Sequence, residues 1–486
     1  MAANQAMPSV ADRARMEAAL LSRLRRPAPL RRLPRTGEAL VVPATPAQAN
    51  MWDKAHDDSR SDPIILAGVR LRGRVDVSVL RRAAASLTVR HESLRTVFRL
   101  RGDDLVQVVL PAVEADIPVV PISMDEYAEV ATAEAGQPID LEQGPLFRCR
   151  LLELSDDDHI LLLILHHIIG DTRALEIFAR DLTACYLALL NGTDPRLPSL
   201  PIQLADFTAW YTERLAGPRR QELIDYWVSR LAGVVPPRLP TDLEPGARPS
   251  ACGGTERLPF PAGLLSAVSE LARQHRATLH MVGCAAFLVL LARWSAQRDI
   301  AVRMDISYRD RREIADLIAD FSGDIVFRMD LSDDPTFAEL VDRVRHAAAS
   351  DFAHNELPPH LLGLALDEPG LLNRLFDVQF STDNDRQFEL PPCGLLAEPM
   401  RPPWRSTFRP LWLLIRLTTS GADCIANYHT AVLSPERVTD MIRDYLDVLT
   451  ELTAHPDRPV FRGPAPGRPA LRCRVPDSTT RCCDAS

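Results

Sequence analysis

The stretch that most constrains the fold is HILLLILHHIIGDTRALEIFARDL, residues 159–182. Its apolar run Ile160–Leu165 lacks the alternation of a half-exposed strand and is far too short to span a bilayer, so it reads as a strand buried on both faces. Directly behind it come His166, His167 and Asp171, and then a helical period. Leu175, Phe178, Leu182, Cys185, Tyr186 and Leu189 fall on one face of a helix over about 173–191, as packing against a sheet requires. A buried strand feeding such a helix through a short link commits the chain to layered sheets and helices.

The surrounding sequence extends that pattern. DPIILAGVRLRG and DDLVQVVL read as strands, and DVSVLRRAAASLTVRHESLRTVF as a helix that runs into the strand TVFRL. LFRCRLLELSDDDHILLLILHHII gives two strands about the turn SDDD. Farther on, GLLSAVSELARQHRATLHMVGCAAFLVLLARWSAQRD gives two helical patterns. IAVRMDIS, DIVFRMDLS, LFDVQFST and LWLLIRLTTSG read as strands, and TFAELVDRVRHAAASDF and SPERVTDMIRDYLDVLTELTA as helices. The second half repeats the mixture of the first, so the fold class is α/β (α+β), arranged as two lobes meeting at a cleft. The expected divisions are a flexible extension over 1–38 with one short helical pattern around Ala11–Leu24, a first lobe over 39–212, a second lobe over 213–456 and a flexible tail over 457–486. The Pro-rich stretch 233–254 reads as a long loop within the second lobe.

A strand that ends in two histidines sets their backbone by the sheet. Adjacent extended residues point oppositely, so one imidazole should face the cleft while the other is packed. An imidazole of ordinary pKa, about 6.5, suits general base chemistry near neutral pH. Asp171 is placed either to cap the following helix or to pair with an arginine. Neighbouring histidines rarely converge on a metal, no third ligand follows at a suitable offset, and the nine cysteines form no zinc-like pairs of CxxC. With a net charge of -9 the chain lacks the basic face that nucleic acid requires. No segment reaches the roughly 18 apolar residues of a membrane span, and the N-terminus has no signal-peptide core, so a cytoplasmic protein with no membrane partner is expected.

HHIIGDT followed by a helix resembles the HHxxxDG motif of the condensation domains of nonribosomal peptide synthetases, in the chloramphenicol-acetyltransferase-like superfamily. TPAQANMW at 45–52 is similar to that family's S-x-A-Q-x-x-x-W block, and RHESLRTVF at 90–98 to its R-H-E-x-L-R-T-x-F block. LADFTAW at 204–210, LFDVQFSTDN at 375–384 and AHPDRPV near the end match further blocks, so the resemblance covers about 40–460. It implies two chloramphenicol-acetyltransferase-like lobes in a V with a central tunnel, through which an acyl donor and an acceptor meet. His167, at the motif's second histidine, would deprotonate or orient the acceptor, with His166 and Asp171 as supporting residues. Asp171 would form a salt bridge across to Arg309 of the second lobe. The resemblance further implies no bound cofactor and no metal: the donor rides as a thioester on the phosphopantetheine of a partner acyl or peptidyl carrier protein, and the acceptor is a small molecule or is itself carrier-bound.

Three positions depart from the family pattern. Thr172 replaces the motif's glycine and brings a side chain towards the channel, Arg303 stands in place of a glycine, and IADFSGDIV replaces a G-x-F-x-N block. No carrier attachment motif, adenylation or thioesterase sequence is found, which suggests a free-standing condensation enzyme forming an amide or ester. The alternatives are a coenzyme A-dependent acyltransferase of the same fold and a catalytically silent module that recruits a tailoring enzyme. His91 and Glu92 are expected to fix a helix end and lobe packing, Trp52 and Trp210 to serve the core or the lobe interface, and His354 and His360 to lie in loops.

Overall fold

The computed structural model describes residues 30–56, 63–241, 253–309, 311–366, 368–384, 394–400, 409–418 and 421–461. The helical pattern near Ala11, residues 242–252 of the Pro-rich loop, and Cys393, Cys473, Cys482 and Cys483 lie outside them. Cys149, Cys185, Cys284 and Cys424 are buried and free.

The first half runs β1 (Leu40–Pro43), α1 (Pro46–Ala55), β2 (Ile64–Arg72), α2 (Val77–Arg90), β3 (Thr96–Arg101), β4 (Asp104–Val109), β5 (Val119–Pro121), α3 (Tyr127–Gly136), β6 (Phe147–Ser155), β7 (Asp158–His166) and α4 (Thr172–Leu190). There follow α5 (Leu204–Ala216), α6 (Arg219–Leu231), β8 (Gly253–Pro259), α7 (Leu264–Gln274), α8 (Leu279–Ser295), β9 (Asp299–Ser307), β10 (Ser322–Asp330), α9 (Phe337–Phe352), α10 (Pro359–Ala365) and α11 (Leu371–Leu375). The chain closes with β11 (Val378–Asn384), β12 (Leu396–Met400), β13 (Leu411–Thr418), β14 (Gly421–His429) and α12 (Pro435–Ala454).

Two cores organise these elements. The first gathers β2, β6 and β7 with the inner faces of α2 and α4, and Ile160–Leu165 are fully or almost fully buried in it. That burial is why β7 carries six apolar residues without alternation. The second core surrounds α8, an apolar helix buried along almost its whole length against the six-stranded sheet β10-β9-β11-β13-β14-β8. A small sheet, β1-β4-β3, completes the first half. No single helix among the described residues is long and apolar enough to cross a membrane.

The lobes are not separate along the sequence. β12, from the second half, pairs antiparallel with β2 in the order β12-β2-β7-β6-β5, with Leu396 opposite Arg72 and Met400 opposite Gly68. Ile318 likewise belongs to the first core. Sequence beyond the expected boundary near 212 thus contributes to the first core as well as the second.

Residues 30–38 and 457–461, expected within flexible ends, are tied to the fold. The Arg35 guanidinium donates to both oxygens of Glu92 at 2.8 Å and to Asp206 Oδ1 at 2.9 Å, and the Leu33 amide donates to Asp206 at 2.8 Å. Two buried carboxylates need a counter-charge, and residues 30–38 supply it. At the other end the Val460 amide donates to the Pro335 carbonyl at 2.9 Å, and the Arg298 guanidinium lies 3.4 Å over the Phe461 ring.

Candidate active site between the lobes

The site grows from the end of β7. His166 closes the strand with its side chain fully buried, and its Nδ1 accepts the Ile168 amide hydrogen at 3.1 Å. Burial, with His167 adjacent, pushes its pKa down to about 3, so this ring is neutral. The next residue turns the other way. The His167 amide donates to the Pro63 carbonyl at 2.8 Å, which holds its backbone beside β2. A third of the His167 side chain is exposed, yet its Nδ1 is buried and has no hydrogen-bond partner among the described residues. The exposed edge of the ring is therefore the one that carries Nε2.

Gly170 makes the tight turn out of the strand possible: a Cβ there would collide with the Leu165 side chain. Asp171 then takes both roles left open for it. Its Oδ1 accepts the Ala174 amide at 2.8 Å, capping α4, and accepts Arg309 Nη2 at 3.0 Å; its Oδ2 accepts Arg309 Nε at 3.2 Å and the Phe321 amide at 3.0 Å. The carboxylate of the first lobe is thus saturated by a guanidinium and an amide of the second, with both partners buried. Arg309 also donates to the carbonyls of Ile314 and Leu317 at 3.0 Å and of Ala319 at 2.9 Å. One arginine ties the 311–321 segment to the strut that supports the histidines.

That segment delivers a residue absent from the sequence reading of the site. Asp320 Oδ2 lies 3.5 Å from His167 Nδ1, with the Asp320 side chain 7% exposed. Its other oxygen accepts the Ser322 amide at 2.9 Å and the Ser322 hydroxyl at 2.6 Å. Burial lowers the pKa of His167, but the Asp320 carboxylate, with Asp171 behind it, more than offsets this and raises it to about 9. The ring is thereby moved above the ordinary imidazole value of about 6.5. The signal lay in IADFSGDIV, where the departure from the family block was visible but its facing partner was not.

Thr172 is exposed at the first turn of α4. Arg303 lies within β9, paired with Asp324 through Nε at 2.6 Å and 5.1 Å from the centre of the Phe376 ring. His91 is buried with Nε2 3.0 Å from Asp181 Oδ2, away from the cleft, and His354 stacks on Tyr226 at 3.7 Å.

Residues 38–462 match the family described as the condensation domain. The chain belongs to the condensation domain family. This condensation domain is 33% identical over 440 residues to a protein of the linear gramicidin synthase of Brevibacillus parabrevis, covering 86% of the chain and 6% of that protein. It is 35% identical over 357 residues to phosphinothricin tripeptide synthetase PhsC of Streptomyces viridochromogenes, covering 71% of the chain and 33% of that protein. The chain thus spans a small part of the curated relatives it matches. Among solved structures it is similar to the X-domain from teicoplanin biosynthesis, with a TM-score of 0.80 and 27% identity over 89% of this chain and 98% of that one. The same X-domain has been solved in complex with OxyB. The two-lobed chloramphenicol-acetyltransferase-like fold and the resemblance read from HHIIGDT are thereby established.

Proposed function

We propose that this condensation domain joins a carrier-bound acyl thioester to an amine or alcohol in nonribosomal peptide biosynthesis. The observation that carries the reading is the posture of His167: backbone held beside β2, Nδ1 buried 3.5 Å from the Asp320 carboxylate, and the Nε2 edge open. In the reaction the acceptor nitrogen or oxygen bonds to the thioester carbonyl carbon and the C–S bond breaks. The proton lost by the acceptor ends on the departing thiolate. His167 Nε2 serves both ends of that traffic: neutral, it takes the acceptor's proton; charged, it donates to the carbonyl oxygen as negative charge develops there. His166 and Asp171 hold the strand end and helix start from which it projects. No cofactor of the domain's own is required, since the donor arrives on the phosphopantetheine of a carrier protein.

The test is to incubate the purified protein with an acyl-loaded carrier protein and a panel of amines and alcohols, reading products by mass against His167→Ala. We expect a covalent product whose formation falls by on the order of 100-fold or more in the variant, with carrier binding retained. A donor loaded on coenzyme A should be the poorer substrate. Tight carrier binding without product from any acceptor would replace this reading with a recruiting one, as the likeness to a domain solved with OxyB would then suggest.

A further inference from the structure

The block IADFSGDIV places a carboxylate against the buried edge of His167 that the family motif does not supply. Asp320 is held for that task from three sides. Its Oδ1 is taken by the Ser322 amide and hydroxyl, and its Oδ2 lies 3.5 Å from His167 Nδ1, an ion-pair distance. Phe321, next in sequence, is anchored by its amide on Asp171 and by an edge-on ring contact with Phe207 at 4.8 Å. Arg309 fixes the carbonyl of Ala319 just before it. Tyr308 lies over Gly323, where any Cβ would strike its ring, and its amide donates to the Phe321 carbonyl at 2.8 Å.

We infer that Asp320 is a positioning residue that forms an Asp–His dyad with His167, fixing which ring nitrogen faces the cleft. The inference rests on the catalytic reading of His167 given above. With a carboxylate at Nδ1, the proton of the neutral ring stays on Nδ1 and the Nε2 lone pair points to the cleft. In the charged ring Nε2–H points there instead. The second arrangement prevails at neutral pH, because the charges around the ring favour it. Asp320 faces it from the 311–321 segment, and Asp171, already shared with Arg309, from the start of α4. The adjoining His166 is neutral, and Tyr308 beside Asp320 remains a protonated phenol, its pKa raised by burial and by the carboxylates near it. The neutral ring that takes the acceptor's proton is thus a growing fraction as the pH rises towards 9.

The measurement is an NMR titration of the full chain with ring-labelled histidine, the His167 resonance being identified among the 12 histidines by its loss in His167→Gln. Half-titration is expected near pH 9 in the natural protein. In Asp320→Asn it should fall by more than one unit, a change of over ten-fold in proton affinity. Ser322→Ala, which keeps the charge and the amide contact but removes the hydroxyl that helps hold Oδ1, should give a smaller fall and covers the event that Asp320→Asn does not fold. A His167 that titrates near 6.5, or one unmoved in both variants, overturns the dyad. Where product forms, the acid limb of the rate profile must move with the resonance in Asp320→Asn. The titration needs no turnover, so loss of the acyl-transfer reading and loss of the dyad give different results.

Discussion

Two neighbouring histidines at one strand end are driven in opposite directions, and the consequence is measurable in stability. His166, with a pKa of about 3 in the fold against about 6.5 unfolded, refuses a proton that the unfolded chain accepts. Its contribution is present above pH 6.5 and is lost as the pH falls towards 3. His167, raised to about 9, binds a proton more tightly in the fold, so its contribution is complete below pH 6.5 and is lost as the pH rises through 9. The windows adjoin, and the pair favours the fold most near pH 6.5. Urea unfolding across pH 4 to 10 should show the alkaline decline flattened in His167→Gln while the acid decline persists. An unchanged alkaline slope in that variant would show that His167 does not hold its proton as the geometry requires.

At the scale of elements, the junction of β7 and α4 is built so that one cross-lobe pair carries cap, strut and loop together. Arg309→Ala would leave the buried Asp171 carboxylate without its cation and free three carbonyls of the 311–321 segment. Breaking a buried pair costs about 3–5 kcal/mol, and an unfolding midpoint in urea should report a loss of that order. Arg309→Lys keeps the charge but not the fork, and should recover only part of it. Gly170→Ala should also destabilise, since the added Cβ meets Leu165 in a packed core. Much of this junction was legible in the sequence: the unbroken apolar run announced a doubly covered strand, and the spacing of Leu175, Phe178 and Leu182 announced the helix packed on it. The supporting pair of Asp171 and Arg309 was reached through resemblance alone. Asp320 was not reached, because its partner lies 153 positions away in number and no local period records a contact between lobes. Arg35 escaped for a related reason: a basic, proline-broken segment looks like linker until the buried carboxylates it neutralises are seen.

At the scale of the molecule, β12 makes the lobes one unit. The first lobe's five-stranded sheet includes a strand from the second half, and Arg72 and Glu398 pair across the same seam at 2.9 Å. Unfolding should therefore be a single cooperative event. Trp52 reports on the first core and Trp227 on the second, and both are buried. With the other tryptophans replaced, their fluorescence transitions in urea should coincide; separate midpoints would show lobes that come apart independently.

The same returning strand sets a condition on synthesis. Chain leaves the ribosome N-terminus first at about 5–20 residues per second, so β2 is finished while β12 remains untranslated for tens of seconds. During that interval the side of β2 that β12 will occupy is an open row of backbone donors and acceptors, the kind of edge on which other strands assemble. The newborn first lobe is thus sticky by construction, and its protection in the cell falls to whatever shields that edge until residue 400 emerges.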